Sequence, residues 1–257
     1  MKIFNSESFV DYSTYTFNYA TYCIKENQTE IPNIYNKGFL PYSNNLELKH
    51  ETYYLARSLR VDITNFKVSS ENRRVVKKIA EINPSFKVIP ISEFDILNSE
   101  FQEFCLDYGE KRFSEGLDNN RLNYILKTKS ISHIFEFEIE NKKSGYVITI
   151  IENGTLHYWF AFFELDYQQY SLGKFMMFSV IQWAAENNLQ YVYLGTCYGE
   201  KSLYKVRDFK GLAFFDGNQW NRDMKLLKTK CKSDTHFIAD DFKQDTDVFI
   251  EKLHINL

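Results

Sequence analysis

The sequence predicts an α+β fold in which a β-sheet is flanked by helices and preceded by a smaller α/β subdomain. Two observations lead to this prediction. Residues 92–113 and 117–129 favour helices, and three consecutive segments after them favour strands. A long apolar helix and one further strand follow. We divide the chain into an N-terminal subdomain, residues 1–91, and a larger domain, residues 92–257.

Composition limits the class of protein. At 257 residues the chain fits one large domain or two smaller ones. Apolar residues make up 44% and aromatic residues 17%, which indicates a packed globular core. Because the net charge is −3, any RNA contact needs a local basic patch, and we expect no DNA partner.

Cysteine usage and hydropathy indicate a reducing compartment. The four cysteines are far apart and form no Cys-x-x-Cys or Cys/His cluster, so we expect neither a metal site nor a disulfide framework. The N-terminus lacks the apolar core of a signal peptide. No stretch approaches the roughly 20 apolar residues that a membrane span needs, so the sequence predicts a cytoplasmic protein with no membrane partner.

The N-terminal elements are predicted as follows. Residues 1 to about 50 look irregular and end in a loop at Gly38 and Pro41. Residues 52–63 favour a strand, and residues 69–82 a helix capped by Ser69 or Ser70. Four basic residues gather over one and a half turns of this helix: Arg73, Arg74, Lys77 and Lys78. From charge alone, a phosphate site and a solvated helix face are equally compatible with them.

Residues 92–113 and 117–129 read as two helices. The three strands that follow, residues 133–140, 145–151 and 155–163, predict an antiparallel meander, because Asn153-Gly154 is a strong hairpin signal. Residues 174–188 form an apolar helix, and residues 189–195 the next strand.

The turn before the apolar helix is the first candidate site. It consists of Ser171, Leu172 and Gly173. A helix N-terminus carries unsatisfied N–H groups and attracts a phosphate, a carboxylate or a developing oxyanion. The alternative is that Ser171 caps the helix while Gly173 allows close packing. Both functions are compatible with one another.

Residues 162–220, which begin FFELDYQQYSLGKFMMF, carry a family resemblance. They resemble the C-terminal domain of the aminoacyl-tRNA–protein transferases, the arginyl and leucyl transferases of the N-degron pathway. That family has an S-L-G turn opening an aliphatic helix, a Tyr-Leu-Gly strand and a Tyr-Lys segment. Here these are Ser171–Gly173, Tyr193–Gly195 and Tyr204-Lys205, with Trp220 closing the run. Upstream, YNKGFLPYS and LARSLRVDITNFKVSSENRRVVKK fit as well.

The resemblance implies a Gcn5-related N-acetyltransferase-like fold, with a mixed sheet flanked by helices, and an enzyme without a cofactor. Aminoacyl-tRNA would be the co-substrate, and arginine or leucine would pass to the N-terminus of an acceptor protein. Near the expected cleft, the candidate catalytic residues are Tyr193, Glu164 and Asp166. Tyr193 would hydrogen-bond the reacting groups, with packing in the core as the alternative. Glu164, Asp166 and also His157 are candidate proton acceptors. The implied substrate-binding residues are Ser171, Leu172, Gly173, Gly195, Tyr204, Lys205, Arg73, Arg74 and Lys77.

Departures from the family pattern keep two alternatives open. The Asp-Pro before the S-L-G turn reads Glu164-Leu165, and the Cys-x-x-Cys is absent, which argues against an iron–sulfur cluster. One alternative is an N-acyltransferase that uses an acyl-CoA, although QQYSLGKF has a single glycine with which to cradle a pyrophosphate. The other is a degenerate member that binds peptide or RNA without turnover.

Overall fold

The computed structural model describes residues 1–13, 16–113 and 116–234, and it confirms a mixed α+β architecture with a large sheet flanked by helices. The helices in the described residues are α1 (Ile31–Asn36), α2 (Ser70–Ile79), α3 (Ser99–Arg112), α4 (Asn119–Leu126), α5 (Leu172–Glu186), α6 (Tyr204–Asp208) and α7 (Met224–Ser233). The strands are β1 (Lys2–Asp11), β2 (Thr16–Ile24), β3 (Phe39–Pro41), β4 (Thr52–Leu55), β5 (Ser58–Asp62), β6 (Pro84–Pro90), β7 (His133–Ile139), β8 (Lys142–Glu152), β9 (Thr155–Phe163), β10 (Tyr191–Thr196), β11 (Leu212–Phe215) and β12 (Trp220–Asn221).

The large sheet has the strand order β12-β11-β5-β10-β9-β8-β7-β6. Its one parallel pair among the described strands is β9 with β10, and all other neighbours are antiparallel. The meander β7-β8-β9 is confirmed. Asn153 and Gly154, with φ of 42° and 79°, take the left-handed conformations that a tight hairpin requires.

The small sheet has the order β1-β2-β4-β3 and is antiparallel throughout. The prediction that residues 1–50 are irregular was therefore wrong. Ile3, Phe4 and Tyr19 in the β1–β2 hairpin are 50%, 42% and 64% exposed, so apolar residues are not confined to one buried face. A strand without a buried face lacks the two-residue period by which strands are recognised.

Residues 52–63 form two strands rather than the single strand predicted. The break at Ala56 and Arg57 separates β4 in the small sheet from β5 in the large one. Residues before position 91 thus supply β5 and β6 to the large sheet. The domain division at residue 91 stays a prediction, and its final segment, 235–257, lies outside the described residues.

Both faces of the large sheet are covered. On one face, α2 and α5 pack through residues such as Val75 and Ile181 against Val147 and Val192. On the other face, α3 and α4 pack against Ile148 and neighbouring residues, and α1 and the small sheet cover Ile150 and Tyr193. No described helix is long and apolar enough to cross a bilayer.

The predicted helix starts are partly confirmed. Ser69 caps α2, and its hydroxyl accepts a hydrogen bond from the backbone N–H of Asn72 at 3.0 Å. The third helix begins at Ser99 rather than at residue 92, because the Asn98 side chain caps it there.

Candidate active site

A cavity of about 740 Å³ opens where the parallel strands β9 and β10 part. The two strands pair only from Thr155 to His157 against Tyr191 to Tyr193. Beyond that point β9 stays hydrogen-bonded to β8 as far as Phe163, whereas the end of β10, from Leu194 to Thr196, lines the opening. The start of α5, the small sheet and parts of α3 and α4 complete the wall. The cavity therefore lies at the junction of the two sheets.

The start of α5 contributes Ser171, Leu172, Gly173 and Lys174 to the cavity wall. Ser171 stands at the N-cap position with φ of 64°, and its hydroxyl makes no capping hydrogen bond, so the expected side-chain cap is absent. Gly173 serves the expected packing role. A Cβ at this position would lie 2.7 Å from the Phe163 ring, too close for any larger residue without movement of the ring.

Lys205, from α6, brings a positive charge to the wall. Its Nζ donates hydrogen bonds to the carbonyl oxygens of Leu194 at 2.7 Å and Thr196 at 3.2 Å. Gly195 lies between these carbonyls with φ of 78°, a conformation that favours glycine. Burial lowers the pKa of the Lys205 amine to about 8. The ammonium has a third N–H that remains for a bound group.

His157 also lines the cavity and is 2% exposed. Its Nδ1 is 2.9 Å from the Tyr35 hydroxyl, and its buried Nε2 has no hydrogen-bond partner among the described residues. Burial and the charge of Lys205 lower the pKa of His157 to about 3, so the imidazole is neutral at physiological pH. A polar group bound in the cavity could provide the partner that Nε2 lacks.

The described lining residues include four cationic side chains and no carboxylate. Arg112 and Arg121 form no ion pair with any described residue, and the Arg121 Nε is buried without a hydrogen bond. Lys174 is paired with Glu71 at 3.1 Å and with Asp208 at 2.9 Å. The cavity is therefore suited to a negatively charged group. Sequence reasoning missed both arginines, since each lies in a helix with no motif around it.

Six of the residues expected to bind substrate line this cavity: Ser171, Leu172, Gly173, Gly195, Tyr204 and Lys205. His157 also lines it, whereas the three expected catalytic residues, Tyr193, Glu164 and Asp166, do not. Tyr193 is fully buried, and its hydroxyl accepts a hydrogen bond from Arg60 at 3.2 Å. Burial raises the pKa of Tyr193 to about 12. Glu164 and Asp166 are surface residues and do not line the cavity. Partial desolvation of the Glu164 carboxyl, and secondly the charge of Asp166, raise the pKa of Glu164.

The expected RNA-binding residues lie on α2, outside the cavity. Arg74 makes a two-pronged ion pair with Glu71, at 2.7 and 2.8 Å, so its charge is already matched. Arg73 donates a hydrogen bond to the Val68 carbonyl oxygen at 3.0 Å. Lys77 is exposed. The four basic residues seen in the sequence are therefore not equivalent.

Comparison with known proteins gives one family match and several curated relatives. Residues 93–207 match the family described as arginine-tRNA-protein transferase, C terminus. The chain is 27% identical over 171 residues to an aspartate/glutamate leucyltransferase of Saccharophagus degradans, covering 63% of this chain and 69% of that one. It is 28% identical over 141 residues to a protein of the same name from Campylobacter jejuni, covering 54% and 59%. It is 23% identical over 175 residues to a third protein of that name, from Pseudomonas aeruginosa, covering 63% of this chain and 68% of that one.

Solved structures show weaker likeness. The C-terminal domain of a putative lysylphosphatidylglycerol synthetase from Agrobacterium fabrum aligns with a TM-score of 0.44 and 16% identity, covering 88% of this chain and 62% of that one. The structure of L-PGS from Bacillus licheniformis aligns with a TM-score of 0.46 and 12% identity, covering 77% and 67%.

Proposed function

Because the chain belongs to the aminoacyl-tRNA–protein transferase family, we propose that it transfers an amino acid from an aminoacyl-tRNA to the N-terminal α-amine of an acceptor protein. The observation that carries this proposal is the position of the family match. Residues 93–207 contain β9, β10, the start of α5 and Lys205, which together form most of the cavity. Aminoacyl-tRNA is the only co-substrate that the proposed reaction needs.

In the proposed reaction the neutral α-amine attacks the carbonyl carbon of the aminoacyl ester. A C–N bond forms, the ester C–O bond breaks, and the terminal ribose leaves as an alcohol. The Lys205 ammonium donates its free N–H to the carbonyl oxygen as negative charge develops there. It then gives a proton to the departing ribose oxygen, and the proton lost by the amine restores the ammonium. The remaining contribution of the site is alignment of amine and ester.

We further propose that leucine is the donor and that the acceptor begins with aspartate or glutamate. The relatives are named for this specificity. The cavity wall is consistent with it, because Tyr158, Phe160 and Met177 offer apolar contacts to a leucine side chain. An arginine side chain would find no carboxylate among the described lining residues. An acidic first residue of the acceptor would meet Arg112 and Arg121.

We also propose that the large sheet is of the Gcn5-related N-acetyltransferase type. The support is the parting of the parallel pair β9 and β10 beside the N-terminus of a buried helix. The proposal makes no use of coenzyme A, since the turn at residues 168–175 contains a single glycine.

The test supplies the purified protein with leucyl-tRNA or arginyl-tRNA and with peptides that differ only in a first residue of aspartate, glutamate, lysine or glycine. Mass spectrometry then reads the peptides. We expect acidic peptides to gain one leucine and the lysine peptide to gain nothing. Gain of arginine would overturn the donor assignment. Gain of an acetyl group from acetyl-CoA, with no transfer from either tRNA, would overturn the function.

A further inference from the structure

A second concave surface lies beside the N-terminal end of α2. Its volume is about 730 Å³, and it is lined by the cations Lys67, Arg73 and Lys210. The other lining residues are Thr64, Asn65, Val68, Ser69 and Ser70. The three cations come from three different segments: the loop before α2, α2 itself and the loop before β11. No carboxylate is among its described lining residues. We call this surface the cationic depression.

Three cations near the depression are paired with carboxylates of the fold. Arg74 is paired with Glu71 at 2.7 Å, and Arg207 with Asp208 at 2.8 Å. Lys174, in the cavity wall, is paired with both of those carboxylates. In contrast, the three cations of the depression form no ion pair with any described residue. The depression therefore carries positive charge that no described carboxylate neutralises.

The cationic depression is connected to the main cavity by a short chain of hydrogen bonds. The Ser69 hydroxyl and the Asn72 amide donate to the Asp208 carbonyl oxygen at 3.1 and 3.0 Å. The Asp208 carboxylate binds Lys174, which lines the cavity. These contacts link Ser69, which lines the depression, through Asp208 to Lys174, which lines the cavity.

We infer that the cationic depression binds consecutive backbone phosphates of the acceptor strand of the tRNA whose aminoacyl end occupies the cavity. This inference rests on the proposed function. Lys and Arg contacts to phosphates position a nucleic acid without reading its sequence, which suits a surface with three cations and no aromatic platform among its described residues. Each such contact releases a counterion and steepens the salt dependence of binding.

The test compares two triple variants that remove the same charge. In the first, Lys67, Arg73 and Lys210 become Ala. In the control, the exposed lysines Lys225, Lys228 and Lys232 of α7 become Ala. Binding of uncharged tRNA is measured from 50 to 300 mM salt. We expect the slope of log affinity against log salt to fall by about 2–3 in the first variant and to stay near wild type in the control.

A second measurement separates this inference from the proposed function. The wild type and the Lys67/Arg73/Lys210 triple variant are each given leucyl-adenosine, an ester donor without phosphates. The depression variant should use this donor as well as the wild type does, while its apparent affinity for leucyl-tRNA falls. An unchanged salt slope would overturn the inference, even if transfer works. If the wild type transfers from neither donor, the proposed function fails, and the tRNA binding slopes still decide the inference.

Single variants guard against misfolding. Lys67→Ala and Lys210→Ala each remove one exposed side chain and should each lower the slope by about 1. Vesicles with anionic headgroups serve as a competing probe. Binding to vesicles that depends on these lysines, with none to tRNA, would overturn the inference.

Discussion

Substitutions at Lys205 test how much its ammonium group, as distinct from the bulk of its side chain, contributes to the transfer rate. Its ammonium is held by the Leu194 and Thr196 carbonyl oxygens and has one N–H left for the carbonyl oxygen of the bound ester. Lys205→Met removes the donor and keeps an unbranched apolar chain. Loss of one donor to a developing oxyanion reduces kcat by about 10²–10³ in other enzymes, and we expect a reduction in that range here.

The pH profile gives a sharper prediction. With a pKa of about 8, Lys205 is about nine tenths charged at pH 7 and about one tenth charged at pH 9. An α-amine of pKa near 7.7–8.0 must be neutral to attack, so its reactive fraction rises over the same range. The rate constant kcat/KM should therefore rise to a maximum near pH 8 and then fall. Because burial lowers the pKa, the falling limb begins well below the ordinary lysine range near 10.5.

Lys205→Arg keeps the positive charge at all accessible pH values but does not give a proton to the departing ribose oxygen. The rate should therefore be lower than that of the wild type, and the falling limb should disappear while the rising limb remains. The assay is the initial rate of leucine transfer to an Asp-initiated peptide from pH 6 to 10, with Lys201→Met, which removes an exposed cation nearby, as control. The reasoning is refuted if Lys205→Met keeps more than about a tenth of the activity, or if Lys205→Arg retains the wild-type falling limb.

Three further substitutions test other parts of the account. Tyr193→Phe should leave the transfer rate near wild type, because Tyr193 does not line the cavity. It should lower the free energy of unfolding by about 1 kcal/mol, because the buried hydrogen bond from Arg60 is lost. A large loss of kcat without loss of stability would contradict this. Arg121→Gln should raise KM for acidic peptides about 10–100-fold with little change in kcat. The control Arg222→Gln, which removes a cation that is paired with Asp62 outside the cavity, should not change KM. Equal effects from both would exclude specific recognition of the acidic first residue by Arg121. Gly173→Ala should lower the free energy of unfolding, measured with denaturant, by about 1–3 kcal/mol, because the new Cβ would collide with the Phe163 ring. Adding Phe163→Leu should recover most of this loss, and no recovery would contradict the account.

The sequence predicted those elements of the fold that have a clear period or turn signal. The meander follows from alternating residues and from Asn153-Gly154, and α2 from its Ser69 cap. The details of burial were less predictable. Glu136 alternates with buried apolar residues and reads as solvent-facing, yet it is 4% exposed and paired with Lys143 at 3.1 Å. A strand covered on both faces can hide a carboxylate when a neighbouring strand supplies its counter-ion.

The candidate site was predictable only where the chain carries local motifs. The S-L-G turn and the Tyr-Lys segment meet in one cavity because α5 and α6 both begin beside the end of β10. Tyr193 does not line the cavity, although its register partner His157 does, because α1 and the small sheet cover the Tyr193 side chain. Residue spacing alone does not predict such covering by another part of the chain. Arg121 comes to the cavity through tertiary packing of α4, for which no local pattern exists.

The measurement that most directly tests the central claim is leucine transfer to a single α-amine. An Asp-initiated peptide and the same peptide with an acetylated N-terminus are incubated with the protein and leucyl-tRNA, and both products are sequenced by mass spectrometry. The account predicts one leucine added ahead of the aspartate and no addition to the blocked peptide. No addition to the free peptide, or equal addition to the blocked one, would contradict it.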